Sequence, residues 1–141
     1  MGKPKFHFYK DFKSERIAII EIEHVLIKIK NKFKINEDNF YKMMIALTEA
    51  VNNAIYHGNK NDPGKIFSLG INVYQGKIEF IINDQGNGFI VSDVPDPRDK
   101  DNLTKDHGRG VFLIKSLMTG AEYSFSDKGT SLKMYYEFDN N

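Results

Sequence analysis

Glu49, Asn53 and His57 recur at intervals of four within "TEAVNNAIYHGN", residues 48 to 59. On an α-helix this spacing stacks a carboxylate, an amide and an imidazole turn above turn on one face. Taken alone, the column is also what the solvated face of an amphipathic helix carries. A second group lies in "NDQGNGF", residues 83 to 89, where Asp84 ends the apolar run "IEFII" and Gly86 and Gly88 permit backbone turns that a bound ligand requires. An aspartate held there can accept a hydrogen bond from an exocyclic amine such as that of adenine, although an Asx turn ending a strand has the same letters. A third group is "HGRGVFLI", residues 107 to 114, in which Gly108 and Gly110 precede a predicted helix. Free N–H groups at a helix start bind phosphate oxygens, and Lys105 and Arg109 could add charge-assisted contacts; an ordinary glycine-rich helix entry is the plain alternative. Last, "KGTSL" sets Gly129 and Thr130 at a turn that a simple hairpin would also use.

The elements that must position these groups follow from periodicity. "KFHFYK" reads as a short strand. Ser14 is the expected N-cap of a first helix through "ERIAIIEIEHVLIKIKNKF", whose core face is Ile22, Leu26, Ile29 and Phe33. A second helix is expected from about Glu37 to about Tyr56, with the apolar stripe Phe40, Met43, Met44, Leu47, Val51 and Ile55. Beside it Ala46, Ala50 and Ala54 form a smooth ridge that allows close packing. "IFSLGINVYQ" and "KIEFIIND" alternate about a Gln75-Gly76 turn and read as a β-hairpin with Ile78, Phe80 and Ile82 on one face. The stretch from Gly86 to Gly110 has no period and is long for a loop inside a domain, a mark of function. "VFLIKSLM" reads as a short helix, and "AEYSFSD" and "TSLKMYYEF" form a second hairpin in which Leu132, Met134, Tyr136 and Phe138 alternate. This order implies an α+β two-layer sandwich: a mixed or antiparallel sheet with helices on one face.

Composition sets outer bounds. The chain has 141 residues, enough for one domain with a proper core and too few for two, so residues 1–141 are read as a single unit. Its 20 basic and 19 acidic side chains leave a formal charge of +1, which argues against binding a nucleic-acid duplex or an anionic membrane surface. Cysteine is absent, which removes disulfides and thiolate metal sites and suits a reducing cytoplasm. The start "MGKPKFHFYKDF" has no apolar leader segment, and Phe6 stands where a myristoylation signal places Ser or Thr. No apolar run approaches membrane-spanning length.

Order and spacing together resemble the GHKL superfamily of ATP-binding domains, from about Phe6 to Phe138. ExxxN on a helix corresponds to its N box, DxGxG after a strand to its first glycine box, GxG at a helix to its second, and Gly129-Thr130 to its final Gly-Thr. Within it, "TEAVNNAIYHGN" is most similar to the N box of the bacterial anti-sigma factor serine kinases. The resemblance implies that Glu49 is the general base, Asn53 the protein ligand of Mg²⁺ and Asp84 the adenine reader. It implies that Gly86, Gly88, Gly108 and Gly110 shape the nucleotide pocket, that Thr130 lines it, and that residues from Ile90 to His107 form the ATP lid. His57 matches the family's helix-end histidine and is read as structural. The implied substrates are ATP with Mg²⁺ and a serine or threonine on a small anti-sigma antagonist protein; the implied partners are a sigma factor or other regulator and a second copy of the chain, paired through "KFHFYK".

Other ATP chemistries lack their parts. Neither the Walker pattern nor the protein-kinase motif set occurs. A sensor histidine kinase needs a reactive histidine on a helical hairpin, and the first helix carries only His24, read as a core or rim residue. Gyrase-like and chaperone-like ATPases normally carry further domains through which hydrolysis acts. Two readings remain: a partner-switching serine kinase, and a non-catalytic module that uses nucleotide to shape a protein-binding surface. Glu49 separates them, since a pure binding module has no need of a base beside its metal ligand. A domain with no nucleotide would require four motifs to align by chance.

Overall fold

The computed structural model describes residues 2–60, 62–86 and 106–138. Strand β1 (Phe6–Lys13) leads into α1 (Ile17–Phe33) and α2 (Glu37–Asn52), and α2 runs on without a break into a π-helical segment, Asn53–Gly58. The hairpin β2 (Ile66–Tyr74) and β3 (Lys77–Asp84) follows, then α3 (Asp106–Leu117) and the hairpin β4 (Gly120–Ser126) and β5 (Gly129–Glu137). The strands form one sheet in the order β1-β2-β3-β5-β4, and every pairing is antiparallel. The α+β expectation therefore holds, with the mixed alternative removed.

Both hairpins form where alternation and turn residues predict them. Gly76 adopts φ 73 in the first turn, and Gly129 adopts φ 143 as β5 begins, conformations that a side chain disfavours. The second hairpin joins the sheet through its return strand, β5, which lies against β3 and sets Thr130 opposite Asp84. Two segments more than forty residues apart are thus brought to one edge of a future site.

Period-2 burial makes the inner face of the sheet: Phe67, Leu69, Ile71 and Val73 of β2, Ile78, Phe80 and Ile82 of β3, and Leu132, Met134 and Tyr136 of β5. Against it α1 buries Ala18, Ile22, Leu26 and Ile29, and α2 buries Met43, Ala46, Leu47, Ala50 and Val51. The alanine ridge is fully enclosed, while Phe40 and Met44 flank it half-buried. Asn36 caps α2 by accepting the Asn39 N–H at 2.8 Å, and Glu37 and Asp38 occupy the first turn, where the helix dipole favours negative charge.

Three expectations are corrected. Ser14 is not the N-cap of α1: β1 continues to Lys13, beyond "KFHFYK", so Ser14 falls at the strand-to-helix corner and is buried, and the N-cap is Arg16 with no side-chain cap bond. His24 is exposed on α1, neither in the core nor at its rim. Finally, α3 starts at Asp106, so Gly108 and Gly110 lie within the helix and do not precede it. A glycine inside a helix costs about 1 kcal/mol relative to alanine, so its presence calls for a local reason, which the packing of Gly110 supplies.

Candidate functional site

The site assembles where α2 ends. The helix is α through Asn52 and the Asn53 N–H still donates to the Glu49 carbonyl, so Glu49 and Asn53 stand one turn apart on one face. From Asn53 the winding loosens: the Asn59 N–H donates to the Ala54 carbonyl at 2.8 Å, five residues back. Of the three groups expected to stack, Glu49 and Asn53 are described, and the side chain of His57 lies outside the described residues.

The loosened end of the helix presses on the end of β3. A Cβ added at Gly58 would overlap the Asp84 carboxylate, and one added at Gly86 would overlap the Gly58 carbonyl, so only glycines allow this approach. Asp84 is half-buried and its Oδ1 accepts the Gly86 N–H at 2.9 Å. Burial pushes its carboxyl above the ordinary range, opposed by the Gly86 and Thr130 N–H groups and by Lys65. The adjacent Tyr123 phenol is also pushed up by burial.

Between these elements runs a narrow cleft of ≈ 20 Å³, lined by Ala50, Asn53, Ala54, Gly58, Ile82, Asp84, Tyr123, Thr130 and Leu132. Among the described residues Asn53 Nδ2 and Thr130 Oγ1 are buried without a hydrogen-bond partner. Each such orphan costs about 1–3 kcal/mol, so two lining one cleft mark a place for polar ligand atoms. Together with the Asp84 carboxylate, this donor and acceptor set fits a purine nucleotide. The cleft as it stands has room for about one water, so a base would enter only as the walls part.

On the far side of Asn53, α3 crosses α2. A Cβ at Gly110 would lie 2.9 Å from Glu49 Oε2 and 3.1 Å from Asn53 Nδ2, which shows both side chains reaching toward the same point on α3. Glycine is what lets the helix pass so close. Gly110→Ala is expected to leave the unfolding midpoint unchanged or raised, since alanine favours the helix by about 1 kcal/mol and the atoms it meets are flexible side-chain ends. Nucleotide affinity is expected to fall, because those ends must turn away from the cleft. Parallel thermal unfolding and calorimetry check the separation.

Asn53, Asp84 and Thr130 thus line one cleft, with Gly86 bonded to Asp84 and with Glu49 and Gly110 beside Asn53 on its far side. Gly108 and Arg109 belong to α3, but no side-chain position is described for Arg109. Gly88, Lys105 and the expected lid as far as residue 105 lie outside the described residues. Among the described residues no group of three or more His, Cys, Asp or Glu could hold a metal. A cation here would be held by Asn53 and by the ligand's own oxygens, which suits Mg²⁺ with its retained waters. The sequence reading missed Tyr123 and Asn59. Asn59 is the last letter of the opening motif and looks like a turn residue after a helix-ending glycine, yet it is 0% exposed.

Fold and cleft together define a class of protein. The model of the histidine kinase-like ATPase domain matches residues 12–136, and the chain belongs to that family. Within it, the chain is similar to the serine-protein kinase RsbW of Bacillus licheniformis, at 27% identity over 128 residues, covering 86% of this chain and 78% of that one. RsbW of Oceanobacillus iheyensis is 26% identical over 113 residues, 75% of this chain and 70% of its own. Among solved structures, the SiaB-SiaC complex from Pseudomonas aeruginosa aligns at TM-score 0.69 and 12% identity, over 94% of this chain and 89% of that one. The RsbU and RsbW domains of Rv1364c from Mycobacterium tuberculosis align at TM-score 0.65 and 14% identity, over 95% of this chain but 33% of that one. At such identities the structures establish the fold. Among the described residues no helix is long and apolar enough to cross a membrane.

Proposed function

We propose that this protein is a serine/threonine kinase of the anti-sigma type, which binds Mg-ATP, phosphorylates a hydroxyl on an antagonist protein and sequesters a sigma factor or similar regulator. The observation that carries this reading is the convergence of Glu49 and Asn53 on one point beside α3, adjoining a cleft that Asp84 closes. The RsbW relatives, named serine-protein kinases, support it. In this reading Asp84 accepts the adenine amine, and Thr130 Oγ1 and the glycines of the cleft adjoin the nucleotide. Asn53 would hold Mg²⁺ through its amide oxygen. Glu49, one turn earlier, accepts the proton of the incoming serine hydroxyl and orients that hydroxyl toward the phosphates. Mg-ATP supplies the phosphoryl group and the charge neutralisation that a loose phosphoryl-transfer transition state needs. Lys105 and Arg109, with the Gly108 N–H, are assigned to the phosphates, and residues 90–107 to a lid over them.

A second copy of the chain is assigned to the β1 edge. Among the described residues β1 is an outer strand with an unpaired backbone edge, and a groove of ≈ 460 Å³ between β1 and α1 is lined in part by Phe12, Ile17 and Ile20. Ile17 and Ile20 are 69% and 55% exposed, a cost in water that a partner surface would remove.

The test incubates the protein with Mg-ATP and each antagonist-like domain of its organism. Phosphoserine or phosphothreonine on one of them, found by mass spectrometry, is the expected result. ATP binding with no transfer to any of them would leave the non-catalytic module as the correct reading.

A further inference from the structure

We propose that Asn59 is a positioning residue of the nucleotide site, whose buried amide holds the turn that carries Asp84; the inference rests on the assignment of Asp84 as the adenine reader. Asn59 uses both ends of its side chain. Its Nδ2 donates to the Ser14 hydroxyl at 2.6 Å and to the Ile66 carbonyl at 2.9 Å, and its Oδ1 accepts the Gln85 N–H at 2.8 Å. Gln85 returns the connection, since its Oε1 accepts the Ile66 N–H at 2.9 Å. Asn59, Ile66 and Gln85 therefore form a closed ring of hydrogen bonds that joins the end of the π-helical segment, the start of β2 and the residue after Asp84.

The ring bears directly on the carboxylate. Gln85 is the residue between Asp84 and Gly86, whose N–H donates to Asp84 Oδ1, so fixing the Gln85 peptide fixes the turn that aims the side chain. Gly58, next to Asn59, has the Asp84 carboxylate packed on it. The backbone of Asn59 is in turn set by its π-type bond to Ala54, a wall of the cleft. A hydrogen-bonded ring with a single arrangement holds a carboxylate more sharply than apolar packing, and an aspartate held at the cost of burial needs such a device to meet one edge of a base.

The test compares affinity for ATP with that for inosine triphosphate, which has a carbonyl oxygen where adenine has its amine. The ratio reports how well Asp84 is aimed, and a general loss of stability does not move it. The parent is expected to prefer ATP. Asn59→Ala is expected to lower that preference by roughly tenfold, since it leaves the Gln85 N–H without an acceptor. Asn59→Asp keeps that acceptor and is expected to retain most of the preference. Gln85→Ala, at an exposed position whose loss the fold survives, opens the ring at the Ile66 N–H and is expected to lower the preference by a smaller factor. Ile29→Val, a core change in α1 away from the cleft, is expected to lower the unfolding midpoint with the ratio intact. If Asn59→Ala fails to fold, Gln85→Ala decides by the same ratio. An unchanged ratio in the folded variants overturns the positioning role while leaving Asp84 in place; a parent that binds both nucleotides equally removes the Asp84 assignment and this inference with it.

Discussion

Glu49→Gln is expected to reduce phosphoryl transfer to the antagonist by roughly 10²–10⁴-fold, the usual worth of a positioned base, while nucleotide binding stays close to parental. Glutamine keeps the length and hydrogen-bonding reach of the side chain beside Gly110, so the packing of α2 against α3 survives, and only the basic lone pair is lost. A loose transition state has transferred little of the hydroxyl proton at its peak, which places the loss toward the lower end of that range. Single-turnover transfer and ATP calorimetry on the same preparation check the separation. Parental transfer rates in the glutamine variant would remove Glu49 from the mechanism and leave the nucleotide site standing.

Asp84→Asn is expected to weaken ATP binding by about 10²-fold or more, because an amide nitrogen facing the adenine amine opposes two donors where one pair formed. The fold should not suffer. Asp84 has its pKa raised by burial, so the native state binds the proton more tightly than the unfolded chain, and the ionised form is a cost to stability at neutral pH. The asparagine variant carries no such charge and can still accept the Gly86 N–H through its oxygen. Its unfolding midpoint should therefore equal or exceed the parental one at neutral pH. That margin should shrink as pH falls through the raised pKa toward 3.8, where the parental carboxyl also becomes neutral. Denaturant titrations at several pH values, beside ATP calorimetry, test both halves. Lost affinity together with lost stability at neutral pH would make Asp84 a structural residue.

Much of the scaffold was legible because it rests on local periodicity. The stripe Met43, Leu47, Val51 and Ile55 and the alternation Ile78, Phe80 and Ile82 are buried as their spacing requires, and each hairpin turn falls on the glycine that its backbone needs. Where periodicity was silent, expectations went astray. Ser14 has the chemistry of an N-cap, and nothing local distinguishes a cap from a buried hydroxyl that accepts from Asn59, 45 residues away. Gly108 and Gly110 look like a helix entry because glycine disfavours helix interiors; the close approach of Glu49 and Asn53 to Gly110 is a long-range contact that this local preference does not reveal.

The sequence by itself determined the α+β class, the facing of α1, α2, β3 and β5, and the pairing of Glu49 with Asn53, since these follow from the spacing of residue types along the chain. Only the tertiary structure decided that β5 lies beside β3, which carries Thr130 to Asp84, and that α3 crosses at Gly110, which closes Glu49 and Asn53 on one side. It alone also set the π winding at the end of α2 and buried Asn59 in its ring. The physical reason is the same in each case. Such features are settled by contacts between segments far apart in the chain, where the gain from packing and from satisfying buried hydrogen bonds exceeds the fraction of a kcal/mol to about 1 kcal/mol by which local preferences differ.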